Sequence, residues 1–271
     1  MPFKRFISAP PRAKLFEKII ILLIVLSLTL VLIFPRPQQF LYGTIALLIV
    51  AVLMLLMKTP QAAHLALMCG LWLLFMNFEP LFGLWLVNLF GAIISYSILV
   101  FCIPLLRRSF GWFRPGYLRR EIIYWVFIIS CISILALIGW YFIFKPDLSK
   151  HLKMLPQLPL WLYPLAGLGF ALANAFAEEF ICRGVIMQAL DGAVGAGIIA
   201  ILLQGIFFGA LHYAGGFPNG VVGFMLAAIY GIMLGFIRRK ARGMLAPWLA
   251  HVLADATIFI ILTCILLNAK H

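Results

Sequence analysis

PLWLYPLAGLGFALANAFAEEFICRGVIMQA, residues 159–189, is apolar enough to cross a membrane, yet it carries Glu178, Glu179 and Arg183 near its middle. A hydrocarbon core takes an apolar run of about 20 residues as a helix, because only a helix satisfies every backbone group within the segment. The rest of the chain places this stretch among others like it. Of 271 residues, 65% are hydrophobic and 11% charged, and the mean hydropathy is +1.12. A soluble domain would carry about 25% charged residues.

Working outward, further apolar runs of helical length recur at about 17–34, 39–57, 61–78, 82–106, 121–144, 194–213, 220–237 and 244–268. Alternating strand patterns are absent. The expected fold is an all-α polytopic membrane protein of about eight or nine transmembrane helices. The first span, 17–34, follows a basic segment and leads into PRPQQ without a small-x-small cleavage site, so it reads as a retained helix. The loop near 145–158 divides the chain by content. Residues 1–155 hold Leu-, Ile-, Val- and Phe-rich spans with few ionisable groups, and residues 156–271 hold small residues and most of the intramembrane polar chemistry.

The formal charge of +13 has a membrane explanation. Lys4, Arg5, Arg12, Lys14 and Lys18 precede the first span. Arg107, Arg108, Arg114, Arg119 and Arg120 fill one loop, and Arg238, Arg239, Lys240 and Arg242 another. With nine crossings these three clusters share the side of the N-terminus, which the positive-inside rule assigns to the cytoplasm. Lys145, Lys150 and Lys153 fall on the opposite side. Basic loops of this kind favour anionic lipid headgroups rather than nucleic acid. The five cysteines show no metal spacing and read as small buried hydrophobes.

Charges inside a membrane helix are expensive, about 2.5–3.5 kcal/mol each on insertion scales. Glu179 and Arg183 are four residues apart and can pair on one helix face. Glu178 points about 100° away and needs another partner or a task. Two later helices offer company. GIFFGALH places Phe208 and His212 one turn apart, and HVLAD does the same for His251 and Asp255, where Asp255 can orient His251. Small residues from Gly167 to Ala177 allow close helix approach. YAGGFPNG, residues 213–220, breaks the helix after His212. Read singly, His64 near a span end is a tolerated histidine, Asp191 and Glu121 are solvated helix-end acids, and Cys182 is packing. Together, a carboxylate and histidines in a membrane cavity can activate water. No G-x-S-x-G elbow and no HExxH zinc motif occurs.

EExxxR (Glu178, Glu179, Arg183), FxxxH (Phe208, His212) and HxxxD (His251, Asp255) resemble, in order and separation, the three motifs of the CPBP family of type II CAAX prenyl proteases and bacteriocin-processing enzymes. The resemblance covers about residues 158–268, within a 156–271 protease-like domain; 1–155 has no recognised function. It implies an intramembrane endopeptidase acting on a membrane-associated protein or peptide. Glu178 would be the general base. Glu179 would support it and pair with Arg183. His212 and His251 would position water or hold the oxyanion, and Asp255 would fix His251. The family's third motif often carries Asn where this chain has Asp255. Two histidines and a glutamate could ligate zinc, or the same groups could work without metal. The competing readings are a non-proteolytic scaffold or immunity protein and a proton-coupled transporter, since Glu/His chains also relay protons.

Overall fold

The computed structural model describes residues 13–78 and 85–268. Glu79, the basic residues before Ala13, and His271 lie outside the described residues. Among those described there is no strand. Helices α1 (Leu15–Ile33), α2 (Pro37–Leu56), α3 (Pro60–Met76) and α4 (Trp85–Cys102) are followed by the short α5 (Pro104–Ser109). Then come α6 (Arg120–Phe144), the single turn α7 (Ser149–Leu152), α8 (Tyr163–Glu179), α9 (Met187–Val194), α10 (Ile198–Gly215), α11 (Gly220–Ala241) and α12 (Leu245–Asn268). Among the described residues eight helical stretches are long and apolar enough to cross a membrane, and α3 is an apolar helix of 17 residues besides. The expected spans and the observed helices agree to within a few residues, except that the run at 82–106 divides at Ile103–Pro104 into α4 and α5. Pro104 occupies the first turn of α5, where its missing N–H removes no helical bond.

The stretch 159–189 is part of one rod, Leu160–Val194, of 35 residues. Its middle is not α-helical. Phe180–Ile186 forms a π-helical segment between α8 and α9, starting directly after the two glutamates. Such wide turns are rare and cluster at functional sites. Gly184 lies in this segment because Trp112 presses on it. A β-carbon there would sit 2.3 Å from the indole ring.

One apolar core joins residues of α1–α5 with residues of α8–α11, so both sides of residue 155 contribute to it. Small residues set the closest crossings. A β-carbon on Gly167 of α8 would lie 2.5 Å from Phe259 of α12, and one on Gly209 of α10 would lie 2.7 Å from the Phe224 carbonyl of α11. Larger side chains there would push the helices apart. In the N-terminal half, buried Glu17 of α1 accepts the backbone N–H groups of Gln61 and Ala62 at 3.0 and 3.2 Å. A carboxylate thereby caps the positive end of α3.

The described members of the basic clusters gather at one end. The loops before α6 and after α11 are stitched by Tyr117 N–H to the Ala241 carbonyl (2.8 Å) and Met244 N–H to the Arg114 carbonyl (2.7 Å). Ala13 N–H reaches the Gly192 carbonyl at 3.1 Å, which brings the start of α1 to the same end. Asp191 is not the solvated acid expected from its position. It is buried and holds Arg239 through both carboxylate oxygens, at 2.6 and 3.1 Å. Its partner lies 48 residues away, so no local pattern announces it. Glu121 is exposed and pairs with Lys240 at 3.1 Å.

Candidate active site

Helices α8, α10 and α12 bring the three motifs together. The turn at 195–197 makes α9 and α10 a hairpin. Counted from that turn, Glu178 and His212 lie at similar depths, roughly 20–25 Å along their helices at 1.5 Å per residue. Arg183 of the π segment confirms the level: its guanidinium stacks 4.2 Å over the Phe208 ring. His212 reaches the site because the chain folds back beside α8–α9 and breaks after Gly215, not because α10 ends at a distant interface.

The pair expected between Glu179 and Arg183 forms, Oε1 to Nη1 at 3.0 Å, with both side chains buried. Arg183 Nη2 also approaches the Gly231 carbonyl at 3.4 Å. Glu179 has a second partner. Its Oε1 accepts a hydrogen bond from His251 Nδ1 at 2.8 Å. Glu179 therefore orients His251, a role the local spacing suggests for Asp255. Asp255 Oδ1 lies 3.7 Å from His251 Nε2, beyond hydrogen-bond distance. Its other oxygen instead accepts from Asn174 Nδ2 at 3.0 Å. An i, i+4 spacing puts two side chains on one face; it does not stop a partner on another helix from having the better angle.

Glu178 stands apart from its neighbour. Oε1 accepts a 3.3 Å bond from Asn174 Nδ2. Oε2 is buried, makes no hydrogen bond, and lies 3.5 Å from His251 Nε2. His212 is partly buried, and its Nδ1 lies 3.1 Å from the Phe208 carbonyl. A carbonyl only accepts, so Nδ1 carries the proton and Nε2 of the neutral ring is an open acceptor. Phe208 stands between the histidines, its ring centroid 4.8 Å from His212 and 5.7 Å from His251. His212, His251 and Asp255 border a pocket of about 90 Å³ whose other walls are largely apolar, from α6, α11, Phe217 and Pro218. A water needs only about 10–15 Å³ of such space.

Local reasoning missed Asn174 and Tyr230. Asn174 was legible as a lone amide one turn before Glu178. Tyr230 packs edge-on to His251, with centroids 5.6 Å apart, and donates to the Ala250 carbonyl at 3.1 Å. Nothing in its sequence neighbourhood distinguishes it from other membrane tyrosines.

A resident metal fits this donor set poorly. His251 Nδ1 is taken by Glu179, which is itself paired with Arg183, and Asp255 is tied to Asn174. Among the described residues no three His, Cys, Asp or Glu side chains converge in a metal-holding arrangement.

Residues 159–257 match the family model described as type II CAAX prenyl endopeptidase Rce1-like. The likeness is confined to this segment. It runs from the start of the long rod to two residues past Asp255, so it contains all three motifs, and α1–α7 lie outside it. No curated protein and no solved structure matches the chain. The description of that model is of a peptidase, and the long apolar helices mark the chain as an integral, multi-pass membrane protein. The Rce1-like segment is just over a third of the chain. Helix α6, outside it, nonetheless supplies Ser133, Ala136 and Leu137 to the pocket wall.

Proposed function

We propose that the protein is an intramembrane endopeptidase in which Glu178 activates a water molecule. The observation that carries this reading is the state of Glu178 Oε2: buried, without a hydrogen bond, and 3.5 Å from an imidazole nitrogen. A buried acceptor without a donor is unfavourable unless it has a task. In the proposed reaction Oε2 takes a proton from water while the resulting hydroxide attacks the substrate carbonyl. The open Nε2 of His212 accepts water's second hydrogen and aims the attack. His251, carrying both ring protons, donates Nδ1–H to Glu179 and points Nε2–H at the developing oxyanion. Glu178 then returns its proton to the leaving amine, and the peptide bond breaks. Arg183 pairs with Glu179 and holds it in place.

The substrate is a membrane-associated protein or peptide, cut close to its C-terminus or to a lipid-anchored segment. The apolar walls of the pocket suit an apolar side chain beside the scissile bond. The N-terminus faces the cytoplasm, and the stitched basic loops lie against anionic headgroups. The support for this is that the described members of all three basic clusters occupy one end of the molecule.

The test is hydrolysis of a quenched fluorescent peptide ending in a farnesylated Cys-a-a-X sequence, with the full chain in liposomes. Wild-type protein should cleave it, and Glu178→Gln and His212→Ala should not, at equal amounts in the membrane. Turnover retained by Glu178→Gln sinks the assignment of the base. Should the wild type leave this peptide intact, comparison of membrane-protein termini in cells with and without Glu178→Gln decides whether another substrate is cut.

A further inference from the structure

We infer that Asn174 is a positioning residue of the reaction: its amide holds the Glu178 and Asp255 carboxylates in one arrangement across α8 and α12. The inference rests on the reading of Glu178 as the base. Asn174 is 5% exposed and lies on α8 one turn before Glu178. Its Nδ2 donates to Glu178 Oε1 at 3.3 Å and to Asp255 Oδ2 at 3.0 Å. Among the described residues these are the only hydrogen bonds that either carboxylate makes. An amide nitrogen has two hydrogens, so one side chain serves both acceptors.

The orientation of the amide follows from its company. With oxygen and nitrogen exchanged, an acceptor would face two acceptors. As it stands, Asn174 Oδ1 is buried without a partner, so the two carboxylates alone set the rotation of the group. The consequence for Glu178 is directional. With Oε1 held from below by Asn174, the carboxylate plane is fixed and Oε2 is turned toward His251, where the proposed mechanism needs its lone pair. The consequence for Asp255 is electrostatic. A neutral donor shared by the two carboxylates offsets part of their repulsion without adding a cation that would compete with Arg183 for Glu179.

Asn174 thus acts through Glu178 and Asp255, and it need not touch the substrate. Its loss should lower kcat and spare KM, because substrate binding is unchanged while the base is misaimed. Asn174→Ala is expected to lower kcat about 100-fold, the scale of a misplacement near 1 Å. Asn174→Leu keeps the side-chain volume and discards the amide, and it should lose as much. If packing were the role, Leu would rescue what Ala loses.

A double-mutant cycle with Asp255→Ala completes the test, read on the farnesylated peptide in liposomes and by thermal midpoint in detergent. The losses should be less than multiplicative in kcat and less than additive in the midpoint, since either change alone breaks the same bridge. Wild-type kcat in Asn174→Leu, or independent effects in the cycle, would overturn the inference. The thermal arm does not need catalysis. If the wild type cleaves no peptide while the midpoints remain coupled, the substrate reading fails and the bridge stands. Additive midpoints remove the bridge whatever the peptide does.

Discussion

His64 and His251 are both buried histidines on membrane helices, and their surroundings are completed to different degrees. His64 Nδ1 meets the Tyr96 hydroxyl at 2.6 Å, and Nε2 lies 3.2 Å from the Leu106 carbonyl and 3.0 Å from Ser109 Oγ. The proton on Nε2 faces groups that accept, and Nδ1 accepts from Tyr96. Every polar atom of the ring is answered, and Gln188 extends the network to the Ser109 carbonyl at 3.2 Å. Around His251 the count comes out short. Asn174 Oδ1, Glu178 Oε2 and Glu179 Oε2 are buried without hydrogen bonds. A closed network rigidifies a core, whereas an open one keeps lone pairs free for a ligand. In this chain the histidine that looked merely tolerated ties α3, α4 and α5 together, and the one with unanswered neighbours lies at the motif cluster.

The sharpest way to break that contrast is Glu178→Gln. The amide keeps the shape and loses the base, so cleavage of the farnesylated peptide should fall by about 10³-fold or more, within the range attributed to a positioned acid–base group. Protein in the membrane should be unchanged. A variant that turns over normally would mean that the open acceptors are only a gap in the packing.

Arg183→Ala attacks the same site from its structural side. Glu179 would be left as a buried carboxylate without its cation, and removing one partner of a buried pair typically costs about 3–5 kcal/mol. The expected outcome is a large drop in thermal midpoint and in recovered protein. Arg183→Lys should restore part of the pair but not the stacking on Phe208, which a planar guanidinium supports at 4.2 Å. Normal insertion and stability in Arg183→Ala would show that the pair is not what holds Glu179.

His64→Ala tests the other member of the comparison. It strands the Tyr96 hydroxyl in a buried site, for about 1–3 kcal/mol of lost stability. Peptide cleavage per folded molecule should be unaltered. A fall in kcat like that of Glu178→Gln would place the N-terminal network in the reaction and dissolve the distinction between the two histidines.

How much of this was legible in the sequence follows from the range of the interactions. Helix positions were readable because hydropathy is a property of consecutive residues. The Glu179–Arg183 pair was readable because both ends lie within one turn. Glu179 to His251, Asn174 to Asp255 and Asp191 to Arg239 were not, since each joins residues 48 or more positions apart. Asp255 shows the limit most clearly: the local pattern offered it to His251, and the packing of α8 on α12 gave it to Asn174. The motif resemblance supplied what spacing could not, namely that the three helices converge. It had nothing to say about α6, which lies outside the matched segment yet lines the pocket.

The two acids first read as solvated give the smallest effects and the finest discrimination. Asp191→Asn breaks a buried pair held through both oxygens, one side chain 7% and the other 26% exposed, and should lower the thermal midpoint measurably. Glu121→Gln removes an ion pair whose side chains are 68% and 38% exposed. Screening and side-chain freedom leave such a pair worth about 0–1 kcal/mol, and less in high salt. Lys240 also rests near the Trp125 and Phe236 rings, at 5.8 and 5.4 Å, so it keeps favourable company when Glu121 is neutralised. The expected outcome is a midpoint within error of wild type for Glu121→Gln and a clear decrease for Asp191→Asn, in the same detergent and salt. Equal effects would mean that burial does not separate these two acids.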